Sequence, residues 1–193
     1  SWGEFKPMID FDKSIHSRLN EAANLLSHIP KKIPMVQARA MNRALSSGKT
    51  EAAARVRDTY LVRKKDVSET IELKKASANN LEGSLESTGH VMPLIRFRVT
   101  PKSPQPGRKK PLLAQVLRAG GKSPIHGAFV AKVRGVASVY RRTTAKRFPI
   151  KGIYAPAVPQ MLDNEKVRNS VQNKMLETLD KRLEHEIGRV LDG

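Results

Sequence analysis

The sequence contains no cysteine among its 193 residues. This absence excludes a disulfide framework, a thiolate nucleophile and every zinc site that uses cysteine ligands. It is also typical of a protein assembled in a reducing cytoplasm. Aromatic residues are scarce, at 5% of the chain. We therefore expect a core built mainly from Ala, Val, Leu, Ile and Met, with few large aromatic anchors.

Long apolar runs are absent as well. No segment approaches the roughly 18 consecutive apolar residues that a membrane span requires, so we expect no membrane contact. The first residues also lack an apolar run followed by a small-residue cleavage site, and this predicts that there is no signal peptide. A chain of this length buries about 70% of its unfolded surface, so a substantial core is expected.

The most informative absence is that of negative charge in the middle of the chain. Residues 87–162 contain no Asp or Glu but 15 Lys and Arg, whereas the whole chain has a net charge of +18. Outside these residues, 21 basic residues face 18 acidic ones. Such a concentrated field indicates an acidic partner, either nucleic acid or an acidic protein surface. The alternative is a solvated basic face that only aids solubility.

Clusters of basic residues within this stretch are the candidate partner-binding residues. They are Arg108, Lys109, Lys110, Arg141, Arg142, Lys146 and Arg147. Few aromatic side chains are available for stacking on bases, and we expect several of them to face the core: Phe97, Phe129, Tyr140, Phe148 and Tyr154. No helix-turn-helix, zinc-finger or RNA-recognition signature is present. Any nucleic-acid contact is therefore expected to be with backbone phosphates, independent of base sequence and sensitive to salt.

Two segments in the first third of the chain have the apolar periodicity of helices. The first covers residues 12–29, with Asp10 or Asp12 as its predicted N-cap. The second runs from about residue 34 to residue 60, and its small apolar residues predict a slender face suited to close packing. Residues 46–48 indicate either a kink or a break between two helices.

The centre of the chain has the alternation and turn signals of β-structure. The predicted strands are residues 71–74, 81–85, 94–99, 112–117, 128–133 and 137–143. A tight turn at residues 134–136 predicts that the last two strands form a hairpin. Residues 101–111 contain four prolines and four basic residues, which predicts a mobile, projecting loop.

A third helix is predicted over residues 164–191, with nine apolar side chains on one face. We expect this face to cover the sheet or to pack on a neighbouring subunit. Because helices precede and follow a run of strands without βαβ alternation, the predicted class is α+β with a mainly antiparallel sheet. The expected organisation is one domain, residues 1–193, with a helical part (1–60), a basic β-rich part (61–158) and a C-terminal helix (159–193).

Catalytic and cofactor motifs are missing from the sequence. No two of the five histidines are spaced three or four residues apart, and His185 is predicted to lie on an exposed helix face. Gly120, Gly121 and Lys122 lack the upstream glycine of a phosphate-binding loop. Glu86 and the acidic residues of the third helix are predicted to be surface charges. We therefore expect no enzymatic activity, no metal and no cofactor.

Several segments together resemble one known family, the lambda-type phage minor tail protein Z, related to other tail-completion proteins. The first runs from residue 33 to residue 45 and contains Ala40-Met41-Asn42-Arg43-Ala44. The others are residues 56–76, 92–95, 127–130 and 148–159. They span most of residues 30–162 in the order found in that family.

This resemblance implies a structural virion protein at the head-proximal end of the tail, the neck, needed for tail completion or head–tail joining. Such proteins form rings that match the sixfold symmetry of the tail. The implied partners are further copies of the chain, as a hexamer, other tail or neck proteins, and DNA backbone. The alternatives are a sequence-independent nucleic-acid-binding protein, or a tail assembly factor that is absent from the mature particle.

Overall fold

Two long antiparallel helices form the centre of the molecule, α2 (Ile33–Thr59) and α5 (Glu165–Leu191). The computed structural model describes residues 6–11 and 14–192. Three shorter helices accompany the pair: α1 (Ile15–Leu25), α3 (Lys64–Ser68) and α4 (Val158–Leu162). Buried side chains from the helices and the strands belong to one continuous hydrophobic cluster.

Small residues on α2 allow α5 to approach closely, as the sequence predicts. Ala40, Ala44 and Ala52 are fully buried. A Cβ atom added to Gly48 would lie only 2.6 Å from Cγ of Met175 on α5. The apolar face of α5 therefore packs chiefly on α2, which is neither of the two predicted partners, the sheet or a neighbouring subunit. The distance between packed helices depends on the side chains at the contact, and the glycine and alanines of α2 let α5 approach closely.

The helix boundaries differ in part from those that periodicity predicts. Helix α1 is shorter than residues 12–29, and Asp10 lies in a strand rather than at its N-cap. The other predicted cap, Asp12, lies outside the described residues. Helix α2 continues without a break through residues 46–48. Helix α5 begins as predicted, where the Asn164 side chain accepts a hydrogen bond from the Lys166 backbone N–H at 3.1 Å.

Eleven short strands occur in the described residues, and all of their pairings are antiparallel. They are β1 (Met8–Asp10), β2 (Ile71–Lys74), β3 (Ser84–Ser87), β4 (Met92–Pro93), β5 (Arg98–Thr100), β6 (Leu112–Gln115), β7 (Ser123–Ile125), β8 (Ala128–Val133), β9 (Val136–Arg142), β10 (Ile150–Gly152) and β11 (Tyr154–Ala155). They form sheets in the orders β1-β3-β2, β5-β6-β7, β10-β9-β8 and β11-β4. The predicted α+β class is confirmed, with the strands divided among small sheets.

The predicted hairpin is confirmed, and it joins β8 to β9. Arg134 and Gly135 form its turn with φ angles of 50° and 82°. Two consecutive positive φ angles are characteristic of the type I′ turn, whose twist matches that of the strands it joins. The predicted strand at residues 94–99 is largely wrong. Leu94–Arg96 forms a 3-10 turn, which places Leu94 and Phe97 together in the core.

The division of residues 1–193 into three parts of one domain remains a prediction. Neither β1 nor α4 was anticipated. Strand β1 supplies one edge of the β1-β3-β2 sheet, and α4 leads directly into α5.

Candidate functional site

The seven predicted partner-binding residues are all exposed. Three lie in the loop of residues 101–111, two end strand β9, and two lie in the loop of residues 143–149. We call this set the basic surface: Arg108, Lys109, Lys110, Arg141, Arg142, Lys146 and Arg147. The fold thus presents residues from three separated segments of the sequence to solvent.

The loop of residues 101–111, the start of strand β8 and Arg142 at the end of β9 together line a cleft of about 530 Å³. Residues 108–110, His126 and Phe129 belong to the same lining. We call this the basic cleft. Four prolines in the loop also line it, and each restricts its own φ angle to a narrow range. The cleft brings Arg142 together with a basic cluster more than 30 positions earlier in the chain.

The arginines of the basic cleft are held by their neighbours. The Arg142 guanidinium carbon lies 5.0 Å from the centre of the Phe129 ring, a distance typical of a cation–π interaction. Alternation along the hairpin explains this contact, because Phe129 pairs in register with Tyr140, two positions before Arg142. Arg108 donates through Nη1 to Oε1 of Gln105 at 2.8 Å and through Nε to the Lys110 carbonyl at 3.2 Å.

The loop of residues 143–149 starts beside the basic cleft. Both the backbone N–H and the hydroxyl of Thr143 donate to the Pro149 carbonyl at 3.2 Å, which closes the loop at its base. Within it, the Arg147 guanidinium carbon lies 5.7 Å from the centre of the Phe148 ring. Phe148 is 62% exposed, so this contact lies at the surface. The loop therefore extends the basic surface outward from Arg142.

No carboxylate of the described residues forms an ion pair with the basic surface. Arg141 lies opposite Lys151 in the β9–β10 register, a like-charge placement that disfavours strand pairing. Arg96, also in the acid-free stretch, lies 4.0 Å from Asp66. The arrangement is suited to binding an anion.

Two carboxylates that were predicted to be surface charges are buried, so that prediction is wrong. Glu86 is 6% exposed and forms ion pairs with Lys74 at 2.5 Å and with Lys6 at 3.3 Å. The hydrogen bond from Lys74 lowers the pKa of Glu86 despite the opposing effect of burial. Desolvation and the nearby Glu86 charge raise the pKa of the neighbouring Asp10.

The second buried carboxylate, Glu186, is 3% exposed near the end of α5. Its oxygens lie 3.0 Å from Arg182 and 3.7 Å from both Arg39 and Arg189. His185 is 54% exposed, as predicted. Helical periodicity did not identify the burial of Glu186; the only signal was the set of arginines spaced three and four residues from it on α5.

Residues 6–11 and 14–192, which the structure describes, also bear on two other functional classes, metal-binding proteins and membrane proteins. These residues include no group of three or more His, Asp or Glu side chains placed to hold a metal ion. The same ranges contain no helix that is both long and apolar enough to cross a membrane.

Comparison with known proteins identifies a family. A family model described as prophage minor tail protein Z (GPZ) matches residues 18–192. No curated protein and no solved structure gives a significant match. The match begins within α1 and continues to the end of α5, so it includes the basic surface and the α2–α5 pair.

Proposed function

The chain belongs to the prophage minor tail protein Z family, and from this premise we propose that it forms a ring at the head-proximal end of a phage tail. In this proposal the ring contains six copies and is needed for tail completion or head–tail joining. The protein works by assembly and not by chemistry. A ring requires a heterologous interface, in which different surfaces of neighbouring copies meet.

The observation that carries this proposal is the family match over residues 18–192, combined with an unneutralised basic surface. Helices α2 and α5 form a scaffold whose buried face needs no partner for its own stability. The basic surface lies on loops and strand ends outside that scaffold. In this proposal the helices stabilise the fold. The basic surface contacts an acidic tail or neck partner, or DNA.

Mass spectrometry of purified virions and tails, with copy number measured against the tube protein, tests the proposal. We expect about six copies per particle, the number that closes a ring of sixfold symmetry. Absence from the mature particle would contradict the proposal. It would instead favour a tail assembly factor or a freestanding nucleic-acid-binding protein.

A second experiment tests the basic surface in assembly. Arg141, Arg142, Lys146 and Arg147 are changed together to Glu, and incorporation into tails is measured. We expect incorporation to be lost, because the reversed charges repel an acidic partner. The matched control reverses four exposed basic residues outside the acid-free stretch: Lys31, Lys32, Arg43 and Lys64. Equal incorporation of both variants would show that assembly does not depend on the basic surface.

A further inference from the structure

We propose that the basic cleft and the adjoining loop of residues 143–149 bind the phosphodiester backbone of duplex DNA, independently of base sequence. This inference rests on the proposed function and deepens it, since it identifies the anionic partner of the basic surface. In a tail-end ring, copies of the cleft would together contact the DNA.

Charge is the first reason for choosing DNA. The seven residues of the basic surface have no carboxylate partner within the described chain, and the cleft lining contains no acidic residue. Basic residues elsewhere in the chain commonly have partners, such as Lys74 with Glu86 and Arg182 with Glu186. DNA is a polyanion that releases condensed counterions when cations bind to its phosphates. This release favours binding by such a concentration of unpaired cations.

The placement of apolar side chains argues against an acidic protein as the partner. Protein interfaces usually centre on large apolar or aromatic anchors, and lysine is depleted there. Of the nine large, exposed hydrophobic side chains found in the described residues, none lines the basic cleft, and one, Phe148, lies in the adjoining loop, where its ring contacts the Arg147 guanidinium. The most exposed of them, Val136, lies at the tip of the β8–β9 hairpin. A polar, strongly positive cleft has the character of a DNA interface.

The aromatic residues indicate that the backbone is contacted and not the bases. The Arg142 guanidinium lies over the Phe129 ring, and the Arg147 guanidinium lies over the Phe148 ring. Phe97 is only 2% exposed, so it offers no surface for stacking. In the described structure, the chain between β5 and β11 contains no helix that could enter a major groove. The surface therefore lacks the usual means of reading base identity.

The geometry of the arginines favours phosphate binding. A guanidinium is planar and donates in a fixed fork that matches a phosphate. Stacking on Phe129 restrains the Arg142 guanidinium, and two hydrogen bonds restrain that of Arg108. Less side-chain entropy is then lost on binding than with free side chains. These two arginines are expected to make the strongest contacts, while the lysines add long-range attraction.

Fluorescence anisotropy with a labelled duplex of about 30 base pairs, titrated with the full chain over a range of salt concentrations, tests the inference. The slope of log K against log salt should be steep, at about −0.9 for each phosphate contacted. A variant with Arg108, Arg141, Arg142 and Arg147 changed to Gln should bind at least about 100-fold more weakly near physiological salt, with a slope shallower by about 3 to 4. Two duplexes of unrelated sequence should bind equally.

The matched control changes Lys31, Lys32, Arg43 and Lys64 to Gln, which removes the same amount of positive charge from other surfaces. We expect its affinity to remain within about threefold of the wild-type value, because exposed charges beyond a Debye length are screened. If both variants lose affinity equally, net charge and not the basic cleft governs binding, and the inference is overturned.

Lysine acetylation of the unmodified protein provides a readout that does not depend on the folding of a variant. Bound duplex should protect Lys109, Lys110 and Lys146, and leave Lys31 and Lys32 reactive. Failure of duplex binding in a protein that is present at about six copies per particle would overturn this inference alone, and point to an acidic protein partner. Duplex binding by a protein absent from particles would overturn the proposed function instead.

Discussion

The α2–α5 pair and the basic surface differ in whether their charged side chains form ion pairs. On α5, Glu177 forms ion pairs with Lys174 at 3.0 Å and with Lys181 at 2.7 Å. Glu186 lies among three arginines. On the basic surface, seven cations have no carboxylate partner in the described chain. In the first region several carboxylates pair with neighbouring cations, whereas the second leaves its cations available to a partner.

The two regions also differ in burial. Met175 and Leu179 on α5 are completely buried, whereas all residues from 102 to 110 and from 141 to 149 are exposed. Because burial of apolar side chains dominates stability, mutations on the helices should affect the free energy of unfolding. Mutations on the basic surface should affect binding. Four measurements test this contrast.

The largest effect is expected for Leu179→Ala. Truncation of a fully buried leucine removes apolar burial and leaves a cavity, so the free energy of unfolding should fall by about 2–5 kcal/mol. Urea denaturation followed by circular dichroism measures the change. Val136→Ala at the hairpin tip, where the side chain is 67% exposed, is the control and should change stability by less than about 0.5 kcal/mol. Similar losses in both variants would remove the contrast.

A smaller loss is expected for Glu186→Gln. This change keeps the shape but removes the charge that three arginines share, and we expect a cost of about 1–3 kcal/mol. The same denaturation assay measures it. Glu184→Gln is the control on the exposed side of the same helix. If Glu186→Gln is as stable as its control, the buried carboxylate does not hold α5 in place.

Arg142→Ala should have a modest effect on stability despite its expected effect on DNA binding. Loss of the interaction with Phe129 should cost about 0.5–1 kcal/mol. A thermal melt, compared with that of Leu179→Ala, measures the difference. A loss as large as that of Leu179→Ala would mean that the basic cleft belongs to the scaffold.

The smallest effect concerns pH. Hydrogen bonds from Lys181 and Lys174 lower the pKa of Glu177 from its ordinary value of 4.5 to about 2. A carboxylate with a lowered pKa stabilises the folded state above its unfolded pKa and loses that contribution as pH falls. Wild type should therefore be slightly more stable than Glu177→Gln at neutral pH, and the difference should vanish between pH 4.5 and about 2. A difference that persists at about pH 2 would assign the effect to something other than this charge.

The sequence predicted those elements that local signals specify. The two long helices follow from sustained apolar periodicity, and the β8–β9 hairpin follows from a glycine-containing turn between alternating segments. Strand β1 was missed because its three residues pair with β3, more than 70 positions away, and only tertiary pairing defines it. The 3-10 turn at Leu94–Arg96 was missed because a run of alternating residues also fits a strand.

The sequence supplied the residues of the candidate site but not their arrangement in space. The absence of acidic residues from 87–162 drew attention to the seven residues of the basic surface, and their role in binding a partner remains a prediction. Nothing local indicated that Arg142 would share a cleft with residues 108–110, since that depends on how the loop packs on β8. The burial of Glu86 and Glu186 was likewise hidden, because buried ion pairs depend on partners from other elements.

The packing of α5 on α2 also sets an order of events during synthesis. More than 100 residues separate the two helices, so the ribosome makes α2 and every strand before it makes α5. Until α5 emerges, the alanine and glycine face of α2 has no partner to bury it, and an isolated helix of low hydrophobicity is only marginally stable in water. The alanine and glycine face of α2 can therefore be buried by α5 only after α5 has been synthesised.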